Sequence, residues 1–172
     1  MSWLRAVTAL VALSVGAVTV LEGLEQAPTL EAHLRQLFPA AATFSPKEGE
    51  PPHFKAFDQR QKITGYAFWT TELEPLERGY DGPIKILVGM DPNGVLTGVI
   101  VVQHTEPYGN FSIDVPAFPA QFRGKNIRDP FRVGGDVHAV SRATMTMTSA
   151  TRAIRNSARR VARQLLPAPP GR

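Results

Sequence analysis

The sequence contains no cysteine, which excludes disulfides, thiolate zinc sites, cysteine-held iron–sulfur clusters and cysteine nucleophiles. That absence assigns no compartment, because a domain with a sufficient core needs no disulfide even outside the cytosol. Metal chemistry has little to build on: the four histidines, His33, His53, His104 and His138, show no metal-ligand spacing. Ser112 lies near Asp114, but no histidine is placed in the sequence to complete a Ser–His–Asp triad. There is no Walker loop and no G-x-G-x-x-G after a strand, so ordinary hydrolase and Rossmann readings fail. Charge is scarce for a disordered chain, at 20% against 43% hydrophobic residues. The 172 residues suffice for one globular domain with a short appendage.

The net charge of +4 and pI near 9.8 raise the question of nucleic acid. Arg152, Arg155, Arg159, Arg160 and Arg163 crowd the last helical segment, while the middle of the chain mixes both signs. No base-stacking aromatics are interleaved with these arginines, so they read as a solvated basic face and nucleic acid is not an expected partner.

Met1 to Arg5 is a short positive start, and Ala6 to Leu21 carries no charge. The run is long for a signal-peptide apolar region of about 7–15 residues and slightly short of the roughly 20 of a membrane span. Either reading exports the rest of the chain, with Arg5 on the cytoplasmic side. The competing reading is a buried helix of a soluble protein. Residues 1–24 are therefore expected to be a signal peptide or membrane anchor. The rest would lie in the bacterial periplasm, held at the inner membrane or released by cleavage after Ala17.

Further along, Pro28 to Phe38 places Leu30, Leu34 and Leu37 at i, i+4 and i+7, a short amphipathic helix closed by Pro39. "SPKEGEPP" (Ser45 to Pro52) has linker composition, so residues 25–52 read as short helix and linker, and 53–166 as the main domain before a frayed tail at 167–172. Strand patterns follow at His53–Asp58 and Ile63–Thr71, with a turn at 59–62, and at Ile84–Met90 and Val95–His104 around Asp91-Pro92-Asn93-Gly94. Pro116–Gly124 suits a short helix. Ala150, Ile154, Ala158, Val161 and Leu165 form one apolar helical stripe, with Thr146, Thr148 and Ser149 as N-cap candidates. The expected fold is α+β: a small antiparallel sheet packed by a C-terminal helix, preceded by an N-terminal membrane or signal helix.

One cluster could carry chemistry: the hydroxyl run "SRATMTMTSAT" (Ser141 to Thr151) stands immediately before a regular helix. Helix N-termini present unpaired N–H groups and favour phosphate. Such hydroxyls either cap the helix or become esterified, and spacing alone leaves both open.

Residues from about His53 to Val161 resemble the FMN-binding domain shared by NosR/NirI-type membrane regulators and the RnfG and NqrC subunits of redox-driven ion pumps. That family carries a D-x-x-S/T-G-A-T signature whose last threonine is joined to the FMN phosphate by a flavin transferase. "HAVSRAT" matches it, aligning Ser141, Ala143 and Thr144, with Arg142 in place of the glycine and His138 in place of the acid. "GYDGPIKILVGMDPNGVLTGVIVVQHTEPYGNF" (Gly79 to Phe111) resembles the family's G-Y-x-G-P-I run, its hairpin and its H-x-E-T-P-G element.

The resemblance implies FMN held covalently on Thr144. Ser141, Ala143 and Thr146 would lie beside it, and Gly79, Gly82 and Gly109 would let backbone approach the ring. Glu106, His104 and Tyr80 are then candidates to contact the flavin, against ordinary turn, loop and packing roles for the same residues. It also implies an electron carrier rather than a stand-alone enzyme, matured by a flavin transferase and served by a redox partner at the membrane. The alternatives are a non-catalytic regulatory or assembly module of a NosR-like nitrogen-oxide respiration system, and an exported binding domain without flavin.

Overall fold

The computed structural model describes residues 29–167. The expected anchor or signal at 1–24 lies outside the described residues, as does the tail beyond residue 167. Among the described residues no helix is long and apolar enough to cross a membrane.

Five antiparallel strands follow one another in chain order: β1 (Thr43–Phe44), β2 (Phe54–Phe57), β3 (Ile63–Trp69), β4 (Lys85–Met90) and β5 (Leu96–Gln103). The helices are α1 (Leu30–Leu37), α2 (Thr70–Leu73), α3 (Ala117–Ala120) and α4 (Thr144–Leu165). The α+β expectation of an antiparallel sheet packed by a C-terminal helix holds for these residues. The β4–β5 hairpin turns where expected, because Asp91 Oδ1 accepts the amides of Asn93 and Val95 at 2.8 Å each and Gly94 takes a left-handed φ of 80°.

Strand alternation sends side chains to two buried faces. Tyr66 and Phe68 of β3 and Ile86, Val88 and Met90 of β4 point toward α4, where Met147, Ala150, Ile154, Ala158 and Val161 are buried. Leu165 is the only member of the expected stripe that is merely partly buried.

On the opposite face Ala67, Trp69 and Leu87 meet Leu34, Leu37 and Phe38 of the α1 region. Small residues make this approach possible. Ala67 pairs with Gly89 and Gly89 with Gly98, forming a row across β3, β4 and β5. A Cβ added at Gly89 would stand 3.1 Å from Leu37 Cβ, and one at Gly98 would stand 3.2 Å from Leu37 Cδ2. At Gly65 it would collide with the Phe38 ring.

The stretch 45–52, with its linker composition, joins β1 to β2 within the sheet. Ser45 N donates to Lys55 O at 2.9 Å, Lys55 N returns a bond to Ser45 Oγ at 2.9 Å, and Glu48 pairs with His53 as an antiparallel bridge. Its prolines and glycine build a hairpin connection rather than a free spacer.

The arginines of α4 are a solvated face only in part: Arg152, Arg160 and Arg163 are exposed and Arg155 and Arg159 half-buried, and three of the five also hold other segments. Arg152 donates to Glu77, Arg159 to the carbonyls of Ile127 and Asp129 at 2.8 Å each, and Arg160 to the Leu73 carbonyl at 2.9 Å. Guanidinium forks suit loop carbonyls, which lack other partners. These side chains staple the connecting loops to the helix.

Candidate functional site

Three segments converge at the start of α4: the loop 74–84 before β4, the loop 104–114 after β5, and the first helical turn. Glu106 joins them. Its Oε1 accepts the Asp81 amide at 2.9 Å, and its Oε2 accepts the Tyr80 amide at 3.0 Å and the Thr146 hydroxyl. The carboxylate is buried at 6% exposure, so these donors replace the water it has lost. Burial pushes the Glu106 carboxyl up, but the Thr146 hydroxyl and the Asp81 and Tyr80 amides outweigh that push and leave it below its ordinary value.

Gly79 and Gly109 make this packing possible. A Cβ on Gly79 would collide with the Glu106 carboxylate, and one on Gly109 with the His104 ring. Gly82 closes the turn by accepting the Gly79 amide at 2.7 Å, with φ at 131°.

His104 stands behind Glu106. The Glu106 amide donates to Nδ1 at 3.0 Å, so that nitrogen carries no proton and Nε2–H donates to Asp114 Oδ1 at 2.7 Å. Both ring nitrogens are thereby used by the protein, and the ring acts on the loop rather than in the cleft. The pair brings a histidine onto Asp114, ten residues further along the chain. No Ser–His–Asp relay results, because the Ser112 hydroxyl donates to the Tyr108 carbonyl at 2.6 Å and His104 has no nitrogen left for a nucleophile.

The first turn of α4 is open. Ala143 occupies the N-cap position and supplies no side-chain cap. The hydroxyls read as N-cap candidates lie inside the helix instead: Thr146 donates to Glu106, and Ser149 to Glu77 Oε1 at 2.9 Å. Met147 N to Ala143 O, at 2.9 Å, begins the helical ladder, which leaves the amides of Thr144, Met145 and Thr146 without an intrahelical acceptor. The same three residues line an open cleft of about 430 Å³ together with Tyr80, Tyr108 and Arg142. Its walls are unusually apolar for a solvent-facing surface: Tyr80 is 68% exposed, Tyr108 44% and Met145 64%.

Residues 79–159, which contain every one of these groups, match the family model of the FMN-binding domain. They belong to that family. Regulatory protein NosR of Pseudomonas aeruginosa is 28% identical over 94% of this chain, which spans 23% of NosR's length. The G subunit of the ion-translocating oxidoreductase complex is 27% identical in Methanosarcina acetivorans, over 77% of this chain and 74% of that protein. In Vibrio vulnificus the corresponding protein is 32% identical over 46% of this chain and 42% of its own length. The crystal structure of Shewanella oneidensis NqrC aligns with 69% of this chain and 65% of its own at 24% identity and a TM-score of 0.44.

Within this FMN-binding domain the sequence-derived candidates separate by place. Tyr80, Thr144 and Thr146 line the cleft. Glu106 lies directly behind it, with His104, Gly79, Gly82 and Gly109 shaping the loops that carry Glu106 and Tyr80. Ser141 is exposed beside the helix start, and Ala143 is buried beneath it at 1% exposure.

Met145 in the cleft and Glu77 bridging Ser149 and Arg152 had no sequence signal, and the pairing of Asp114 with His104 had none either. The hydrogen-bond partners of Asp114 and Glu77 are 10 to 75 residues distant, beyond any helical or strand period.

The signature's two departures also acquire a structural setting. Arg142 has φ at 70°, the left-handed region where glycine sits without steric cost, so the family's glycine at this position has a backbone reason. His138 is exposed, and its amide donates to Gln121 Oε1 at 2.6 Å. Asp136, two positions earlier, is engaged by its own loop and by Lys125. Its carboxylate accepts the Phe131 and Arg132 amides at 3.1 and 2.6 Å and Lys125 Nζ at 2.8 Å. Burial pushes its carboxyl up, but the Arg132 amide, Lys125 and the Phe131 amide hold it down at about 2.

Proposed function

We propose that this FMN-binding domain is an exported electron carrier whose flavin is esterified through its phosphate to Thr144. The observation that carries the reading is Thr144 itself, an exposed hydroxyl in the first turn of a 22-residue helix and on the wall of an aromatic cleft.

The cleft's residues fit FMN at both ends. Tyr80, Tyr108 and Met145 provide apolar surface for a flat ring. The free amides of the helix start and the partial positive charge there suit a phosphate. When bound, FMN supplies one- and two-electron transfer, while the protein supplies position and electrostatics. Glu106 holds Tyr80's backbone and Thr146 to one carboxylate, fixing the two sides of the cleft relative to each other. Esterification exchanges the Thr144 Oγ–H bond for Oγ–P while a P–O bond of the flavin donor breaks and its departing oxygen takes the proton, so that the chain gains FMN less one water.

Attachment would keep the cofactor with the protein outside the cytosol. The relatives' names, an ion-translocating oxidoreductase subunit and a regulatory protein, support service to a membrane redox system through a partner chain. The likeness to NosR over 94% of this chain favours, as a second reading, a regulatory role in such a system.

Intact-protein mass spectrometry tests the tether on chain produced with a flavin transferase. An FMN-less-water adduct on wild type and none on Thr144→Ala is the expected result. An unmodified wild type, or an adduct that survives in Thr144→Ala, overturns it. Photoreduction of the loaded protein, followed by its flavin spectrum with and without a candidate membrane partner, separates carrier from regulator.

A further inference from the structure

Arg142 is unusual in two ways at once. It holds a left-handed backbone, φ 70°, at the one signature position where the family's glycine would be free of strain. It also lines the cleft with Tyr80, Tyr108 and Thr144. Among the described residues no carboxylate lies within ion-pair distance of it. The arginines of α4 differ, since Arg152, Arg159 and Arg160 are committed to Glu77 or to loop carbonyls. Arg142 is thus a strained, uncommitted cation two residues from the proposed attachment point.

Resting on the reading of this cleft as the flavin site, we infer that Arg142 is a phosphate-recognition residue. It selects a phosphorylated flavin over an unphosphorylated one and holds the phosphate against the start of α4 before any covalent bond exists. A guanidinium presents a planar fork of donors that matches phosphate oxygens, and its charge is retained at every physiological pH. The helix-start amides of Thr144, Met145 and Thr146 attract an anion but offer only partial charge. Adding a full charge beside them turns a weakly favourable place into a selective one. This chain accepts backbone strain at residue 142 and gains a ligand contact that glycine cannot make.

The test uses the full chain produced in a host without flavin transferase, titrated with FMN and with riboflavin by quenching of flavin fluorescence. The variants are Arg142→Gln, Arg142→Lys and Arg142→Gly. Wild type is expected to bind FMN about tenfold more tightly than riboflavin, as one charge-assisted contact of roughly 1.4 kcal/mol would give. Raising salt should shrink that ratio. Arg142→Gln should bring the ratio close to one with riboflavin binding unchanged, and Arg142→Lys should recover part of it as a point charge. Arg142→Gly should lose the ratio while its melting temperature rises, because the left-handed strain is relieved.

A ratio that survives in Arg142→Gln overturns the inference, assigns phosphate recognition to the helix start, and leaves the flavin site standing. Wild type binding both flavins equally also overturns the inference and leaves the flavin site standing. If wild type binds neither flavin, the reading of the cleft fails and the inference falls with it.

Discussion

Thr146 in the first turn of α4 donates its hydroxyl to Glu106, forty residues earlier in the chain, and the same carboxylate oxygen accepts the Tyr80 amide. One buried side chain therefore sets the position of a helix and of a loop. Glu106→Gln keeps the shape but weakens three acceptor contacts and brings an amide donor toward backbone N–H groups. It should destabilise the fold by about 1–3 kcal/mol. Thr146→Val should cost less, and a double-mutant cycle by urea denaturation should give a coupling of about 0.5–3 kcal/mol. Additive losses would mean that the two groups do not act as a unit.

Thr144 offers the contrasting case. Its hydroxyl is exposed and caps nothing, so Thr144→Ala should change stability by no more than about 0.5 kcal/mol. The same variant should lose the flavin adduct entirely, whereas Thr144→Ser should retain it in part. A large stability change in thermal denaturation would show that the side chain has a structural role.

Gly79 should tolerate nothing larger. In Gly79→Ala the added methyl meets the Glu106 carboxylate, which is already fixed by three donors. Destabilisation of about 1–3 kcal/mol is expected, as for overpacking of a filled site. Hydrogen exchange should speed up at the Tyr80 and Asp81 amides. Protection equal to wild type would contradict the arrangement.

Acid should loosen the loop before the signature. Asp136 is held at about 2 against its ordinary 3.8, so its contribution is fully present above 3.8 and is lost as pH falls toward 2. Asp136→Asn should therefore be less stable than wild type at neutral pH, by about 2 kcal/mol. That gap should narrow below about pH 4. Guanidinium titrations of both proteins across this range measure it, and a gap independent of pH would exclude the carboxylate as its source. Glu106, also held below its ordinary value, should add to the loss of stability in the same direction.

Much of this arrangement could be read from residue order. Alternating strands, the Asp91–Gly94 turn and the apolar stripe of α4 each follow a local rule, and each element forms near the expected residues. The hydroxyl run at Ser141–Thr151 leads into α4, close to where a regular helix was expected. What escaped was non-local. The partnership of His104 with Asp114, the grip of Glu106 on Tyr80 and Thr146, and the stapling arginines all depend on loops meeting in space. Proline-rich composition at 45–52 suggested a linker because composition does not reveal which carbonyl Ser45 will meet. Thr146 and Ser149 looked like caps because a hydroxyl's partner cannot be inferred from its distance to a helix end.

The row of small residues beneath α1 has a consequence for how such a chain can change. Gly65 faces the Phe38 ring, and Gly89 and Gly98 both face Leu37. Enlarging any one of these three positions crowds Leu37 or Phe38, and at Gly89 the Thr97 hydroxyl and at Gly65 the Met90 carbonyl as well. Across relatives, residues 65, 89 and 98 should therefore vary in concert with 37 and 38, linking two distant stretches of sequence through a shared volume.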